Sequence, residues 1–247
     1  MTIDIFLLCY NESRMIRHVL RYYSTVSLNI TVLDNFSTDD TIGIIQREFP
    51  HVKIEQFNTD GVFNDKVHLD IKNNCWKNSE ADWVIVADMD ELLYHPNLLR
   101  SLQIRKEKKE ILPVVEAYNM FSQTFPDNYN QFITDQVKTG VRAQHFDKQI
   151  IFQPGYVEEM NYSPGAHDCK PIITIISEVI KYPLYLLHYR FLGKEYVKER
   201  NRGYAARMSN YNKKNGFGAE YAKGDGFVDE CFGLVESGKM PLQKILP

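Results

Sequence analysis

Three carboxylates, Asp88, Asp90 and Glu91, close the apolar run Trp83-Val84-Ile85-Val86-Ala87 within four positions. A β-branched run of this kind reads as a strand buried on both faces, with the acids where its carboxyl end meets solvent. Open α/β sheets bind ligands at that edge. A short loop can aim Asp88 and Asp90 at one point. Their charges would repel there, and a hard divalent cation, Mn2+ or Mg2+, would relieve the repulsion. A cation held in this way binds phosphate oxygens in turn. The competing reading is local: the acids cap a helix expected over residues 97–110.

Two earlier strand ends carry polar signatures of the same kind, Tyr10-Asn11-Glu12 and Asp34-Asn35. Three such edges side by side make a crevice. An Asp after a second strand can accept a hydrogen bond from a base N–H or a ribose hydroxyl. Capping is the alternative for residues 34–40, with Ser37 and Asp40 as a capping box. Neither G-x-G-x-x-G nor G-x-x-x-x-G-K-[ST] occurs, which excludes a dinucleotide fingerprint and a P-loop. Further on, His188 ends an apolar strand. A satisfied core histidine is the plainer reading, but a neutral imidazole can complete a carboxylate metal site. Lys194, Lys198 and Arg202 then recur four apart on one helix face, flanked by Arg200 and Arg207. That face is either a solvated basic surface or a neutraliser of a diphosphate. The turn Pro164-Gly165-Ala166-His167-Asp168 offers His167 or Asp168 to take a proton from an acceptor hydroxyl, unless both are merely exposed turn residues.

These groups need a frame. Strands are expected at Ile3–Cys9, 30–33, 52–57 and 83–87. Helices between them are marked by apolar spacing through Met15, Ile16, Val19, Leu20 and Tyr23, then Ile42, Ile45 and Phe49 up to Pro50, then Val67, Ile71 and Cys75. This alternation predicts right-handed βαβ units and a parallel sheet. After residue 110 it stops. Strands are expected at 114–121, 149–152, 172–180 and 184–191, with a polar stretch at 125–149 and one long basic helix over 193–214.

The bulk properties narrow the classes. Hydrophobic residues are 44% and charged residues 25% of 247, and the net charge is −3. These values describe an ordinary globule with no global field for nucleic acid. No 18-residue apolar stretch suggests a membrane-spanning helix. The first residues, Met1-Thr2-Ile3-Asp4-Ile5-Phe6, lack a basic n-region and read as a strand rather than a signal peptide. Cys9, Cys75, Cys169 and Cys231 are widely spaced and form no C-x-x-C, as expected of reduced thiols in a cytoplasmic protein.

Three segments in order carry a resemblance. They are Cys9-Tyr10-Asn11-Glu12, then Val32-Leu33-Asp34-Asn35-Phe36-Ser37-Thr38-Asp39-Asp40-Thr41, then Asp82-Trp83-Val84-Ile85-Val86-Ala87-Asp88-Met89-Asp90-Glu91-Leu92. Together they resemble the GT-A glycosyltransferases, most of all the family 2-like group with N-E, D-N-x-S-x-D-x-T and D-W-x-x-x-x-D-x-D-E motifs. The resemblance covers residues 1–95 well, and His188 to Arg202 look like the closing motif of that group. It implies a GT-A-like, Rossmann-like α/β fold with a mainly parallel central sheet, in one domain over 1–247. Residues 1–110 would form the nucleotide-sugar-binding half and 111–247 the acceptor-side half. The implied function is metal-dependent transfer of a sugar from a nucleotide-diphosphate sugar, expected to be a UDP sugar, to a hydroxyl of a saccharide or glycan acceptor.

By the same resemblance Asp34 would contact the base, while Asp88 and Asp90 serve the ribose and the metal. His188 would be the third protein ligand. Tyr10, Asn11, Glu12, Lys194, Lys198 and Arg202 are expected to contact the donor. The acidic pair that supplies the base in many inverting relatives is not evident between residues 110 and 185. Asp168, beside His167, is therefore the expected base, with Asp147 and Glu116 as alternatives. Two rival functions share the D-x-D. One is a haloacid-dehalogenase-like phosphatase, whose motif usually lies near the N-terminus and continues with Thr or Val. The other is a non-catalytic glycan- or nucleotide-binding module.

Overall fold

The computed structural model describes residues 1–247. Strand and helix alternate as β1 (Ile3–Cys9), α1 (Ile16–Tyr23), β2 (Ile30–Asp34), α2 (Thr41–Glu48), β3 (Lys53–Gln56), α3 (Asp65–Asn74) and β4 (Trp83–Asp88). Then come β5 (Glu91–Tyr94), α4 (Leu98–Glu107), β6 (Val115–Ser122), α5 (Ile133–Gln136), β7 (Thr139–Arg142), β8 (Ile151–Phe152), β9 (Val157–Glu159) and β10 (Ile172–Ile173). The chain closes with β11 (Leu184–Leu192), α6 (Lys194–Arg207), α7 (Asn210–Asn215), α8 (Asp225–Glu236) and β12 (Gln243–Lys244).

The fold is α/β with two mixed five-stranded sheets. The first has the order β3-β2-β1-β4-β8, parallel throughout except for β8. Its two faces explain why β1 and β4 lack a polar alternation. Ile5, Leu7, Trp83, Ile85 and Ala87 pack on one side with Val19, Leu20 and Ile45 from α1 and α2. Val84, Val86 and Phe152 pack on the other with Trp76, Met160 and Tyr162. The second sheet, β12-β7-β6-β11-β5, is entered directly from the first. After β4 the chain passes through Met89 and Asp90 and resumes as β5, antiparallel to β11. A single buried cluster joins Ile5 and Ala87 of the first sheet to Leu92, Leu186 and Leu187 of the second.

Four expectations are corrected. Glu91-Leu92-Leu93-Tyr94 is a strand, not the approach to a helix, because it has β11 to pair with. The strand expected at 172–180 is only Ile172–Ile173. The long helix over 193–214 breaks after Arg207, where Ser209 accepts a hydrogen bond from the Asn212 N–H at 3.1 Å and caps α7. Ser37 and Asp40 form no capping box: Asp39 accepts from the Thr41 N–H at 3.0 Å, and Asp40 pairs with Arg47.

Candidate functional site

The passage from β4 to β5 sets the site. Register places His188 of β11 opposite Glu91 and beside Asn119 of β6, and the Tyr189 N–H donates to the Asp90 carbonyl at 2.8 Å. This backbone bond brings His188 against Asp90, with Nε2 at 3.4 Å from Oδ2. The other ring nitrogen, Nδ1, lies 2.9 Å from the Asn119 side-chain oxygen. A carbonyl oxygen can only accept, so Nδ1 carries a proton and Nε2 is the ring nitrogen that faces Asp90.

The three acids do not repel one another unrelieved. Each is matched to a cation from elsewhere in the chain. Lys72 of α3 lies 2.7 Å from Asp88. Lys148 lies 2.6 Å from Glu91 and 3.4 Å from Asp88. Arg200 of α6 forks between Asp90 at 2.6 Å and Glu12 at 2.8 Å. Burial opposes the charge on Asp88, but Lys72 and Lys148 outweigh it and hold its carboxyl well below the usual range. Burial likewise opposes Asp90, and Arg200 and His188 hold it low. Glu12 goes the other way: burial pushes it up to about 7 despite Arg200.

A cavity opens at this crossing, and it sorts the expected residues. Tyr10, Glu12, Asp88, Asp90, His167 and His188 line it. The others do not. Asp34 is fully buried, and its carboxylate accepts from the Ser37 N–H at 3.0 Å. Asn11 ties loops together, accepting from the Thr38 N–H at 2.7 Å. Asp168 is exposed and accepts from the Cys169 N–H at 2.9 Å. Asp147 is held by Arg142 at 2.6 Å, and Glu116 accepts from the Tyr118 hydroxyl at 3.3 Å. Lys198 pairs with Asp229 of α8 at 2.7 Å, Lys194 lies 3.8 Å from the same carboxylate, and Arg202 pairs with Asp225. The basic face read from i, i+4 spacing therefore docks α8. It is the flanking face of α6, carrying Val197, Arg200, Asn201, Tyr204 and Arg207, that lines the cavity.

His167 reaches the cavity rim through a strained turn. Gly165 has φ +74°, and a Cβ there would sit 2.5 Å from the His167 ring. Ala166, at φ +53°, is left-handed without being glycine, a strain that marks a shaped loop. His167 Nδ1 lies 3.1 Å from the His145 carbonyl, which fixes the proton on Nδ1 and leaves Nε2 as an acceptor. Burial, and then Lys148, pushes the imidazole down to about 4, so it is neutral at pH 7.

Lys72 and Lys148 are cavity residues that sequence reasoning missed. Lys72 and Lys148 were hidden among polar helix and loop residues, and their signal is burial, at 6% and 4% exposure. Arg207 lies 3.6 Å above the Tyr10 ring.

A divalent cation at this site would be held by Asp90 and His188. Their donor chemistry fits: a carboxylate oxygen and an imidazole nitrogen face each other, with the imidazole oriented from behind by Asn119. The Asp88 oxygens face Lys72 and Lys148. No group of three His, Cys, Asp or Glu side chains converges anywhere in the chain.

No family model matches the chain. Among curated proteins it is similar to the SPbeta prophage-derived glycosyltransferase SunS of Bacillus subtilis (strain 168), with 29% identity over 133 residues. That match takes in 50% of this chain and 30% of the relative. Glycosyltransferase SunS of Bacillus phage SPbeta matches to the same extent. The chain thus spans under a third of the length of the curated relatives it matches. Among solved structures, S. aureus TarS 1–349 aligns with 90% of this chain and 71% of its own, at 16% identity and a TM-score of 0.47. Glucosyl-3-phosphoglycerate synthase from Mycobacterium tuberculosis, solved with Mn2+ and UDP, aligns with 48% of this chain and 44% of its own, at 21% identity and a TM-score of 0.34.

Proposed function

We propose that the chain, acting as one GT-A-like domain, is a glycosyltransferase that takes a sugar from a nucleotide-diphosphate sugar and passes it to a hydroxyl of a saccharide or glycan. The observation that carries this reading is the pairing of Asp90 with an oriented His188 at the β4–β5 crossing, inside a cavity walled by Lys72, Lys148, Arg200 and Arg207. The similarity to SunS, named a glycosyltransferase, agrees with it. A cation on Asp90 and His188 would supply positive charge to the departing diphosphate.

The chain's own residues do the rest. The basic wall binds the two phosphates, with the guanidinium fork of Arg200 suited to paired oxygens. Tyr10 offers a ring face at the same edge. Asp88, held by Lys72 and Lys148, is a fixed acceptor for a ribose hydroxyl. His167 replaces Asp168 as the residue that takes the acceptor's proton, through its free Nε2. This reading disfavours the phosphatase alternative, since the Asp88 oxygens that would have to attack phosphorus both face lysines. The cytoplasmic location stays part of the proposal, supported by four unpaired cysteines. No helix is long and apolar enough to cross a membrane.

Incubation with a panel of nucleotide sugars and Mn2+, read by release of nucleoside diphosphate, tests the reading. Release from at least one donor, lost in Asp90→Ala, supports it. Release of phosphate from simple monoesters instead would favour the phosphatase.

A further inference from the structure

Arg200 holds the carboxylate oxygen that a cation would need. Its Nη1 lies 2.6 Å from Asp90 Oδ2, the same oxygen that His188 Nε2 approaches at 3.4 Å. Its Nη2 lies 2.8 Å from Glu12. The third nitrogen, Nε, is buried and has no hydrogen-bond partner. An unpartnered buried guanidinium N–H is costly, and it is rare unless a ligand completes it. The side chain borders the cavity, so a ligand oxygen can reach it.

We infer that Arg200 and a divalent cation compete for Asp90, and that the cation's arrival releases Arg200 to the donor's diphosphate. The inference rests on the reading of Asp90 and His188 as the residues that hold the cation. Arg200 neutralises Asp90 and Glu12 and keeps two buried carboxylates from repelling. A cation on Asp90 Oδ2 and His188 Nε2 takes over that neutralisation and pushes the guanidinium away by like charge. Arg200 then keeps Glu12 through Nη2 and presents Nη1 to a phosphate oxygen, while the orphaned Nε stays open on the Nη2 edge to a ligand oxygen. Cation and nucleoside diphosphate thus bind cooperatively, each raising the affinity of the other by the same factor. Arg200 acts here as a binding residue that couples two ligands.

The test measures Mn2+ affinity of the full chain by electron paramagnetic resonance of free Mn2+, with and without UDP. In wild type, Mn2+ alone binds weakly and UDP tightens it. Arg200→Met removes the competitor, so Mn2+ alone should bind about tenfold more tightly than to wild type. The enhancement by UDP should shrink at the same time. Equal or weaker Mn2+ affinity in Arg200→Met without UDP overturns the inference. Should that variant melt early, Arg200→Lys decides. It keeps one charge but cannot fork, and Mn2+ alone should bind about threefold more tightly to it, with an unchanged value again overturning the proposal. Wild type that binds no Mn2+, with or without UDP, removes the cation site itself. Binding that Arg200 variants leave unchanged removes only the competition.

Discussion

Lys148→Met is the most exposing perturbation of the charge-matched crossing. Lys148 is 4% exposed and Glu91 1%, and their charges meet at 2.6 Å. Asp88 loses a partner at 3.4 Å but keeps Lys72 at 2.7 Å, so the cost falls on Glu91. What remains to Glu91 is the Asp88 N–H at 3.0 Å. Coulomb attraction at that separation is about 6 kcal/mol for an effective dielectric of about 20. The variant need not lose all of it, because the orphaned carboxylate can take a proton. Neutralising an ordinary glutamate at pH 7 costs about 3.7 kcal/mol, which caps the loss. The cap falls to about 1 kcal/mol at pH 5, since less work is needed to protonate the group. Unfolding in urea should therefore show Lys148→Met weakened by about 3–4 kcal/mol at pH 7 and by about 1 kcal/mol at pH 5. Adding Glu91→Gln should recover most of the pH 7 loss. A loss that is equal at both pH values, or below about 1 kcal/mol at pH 7, would show that Glu91 is not a buried carboxylate dependent on Lys148.

Other perturbations probe the remaining parts. Asn119→Ala frees His188 to choose its tautomer and should weaken Mn2+ binding about 10- to 100-fold without unfolding the protein; calorimetry showing wild-type affinity would remove the orienting role. His167→Gln should lower kcat about 10²- to 10⁴-fold. Because burial and Lys148 push His167 down to about 4, the ring stays neutral and the wild-type to variant rate ratio should hold steady from pH 8 to 5.5; a ratio that collapses below 6.5 contradicts the neutral ring. Burial also pushes His68 down to about 4 from the ordinary 6.5. The unfolded chain then takes the proton first, so stability present above pH 6.5 drains away between 6.5 and 4, by up to about 3 kcal/mol. His68→Phe, placed among Phe57 and Phe63, should flatten that acid loss in urea titrations, and an unaltered pH dependence would rule it out.

The first half of the fold was legible because its signals are local. Apolar runs such as Trp83 to Ala87 mark strands buried on both faces, and Pro50 ends a helix at the expected place. Strand β5 was not legible. Four residues carry no period, and only pairing with β11, about ninety positions on, makes them extended. The acids, His188 and His167 were readable from residue type next to a strand end or a glycine turn. Their partners were not. Lys72, Lys148 and Arg200 look like solvated charges in the sequence, since nothing local distinguishes a lysine aimed at Glu91 from one aimed at water. The same blindness misdirected α6. Lys194, Lys198 and Arg202 have the cleaner spacing, but α8 supplies Asp225 and Asp229 to that face and leaves the Arg200 face for the cavity. Asp34 and Asp168 lie off the cavity lining, and each accepts from its own loop's backbone N–H groups, a role that residue type does not separate from ligand binding.

Calorimetric titration of UDP into the full chain, with and without Mn2+, reaches the central claim most directly. The crossing of β4 into β5 should bind a nucleoside diphosphate through a cation on Asp90 and His188, so UDP should bind with Mn2+ present, weaken sharply when EDTA removes it, and fail to bind in Asp90→Ala. UDP binding that ignores both Mn2+ and Asp90, or no binding of any nucleoside diphosphate in a panel with Mn2+, would contradict the account.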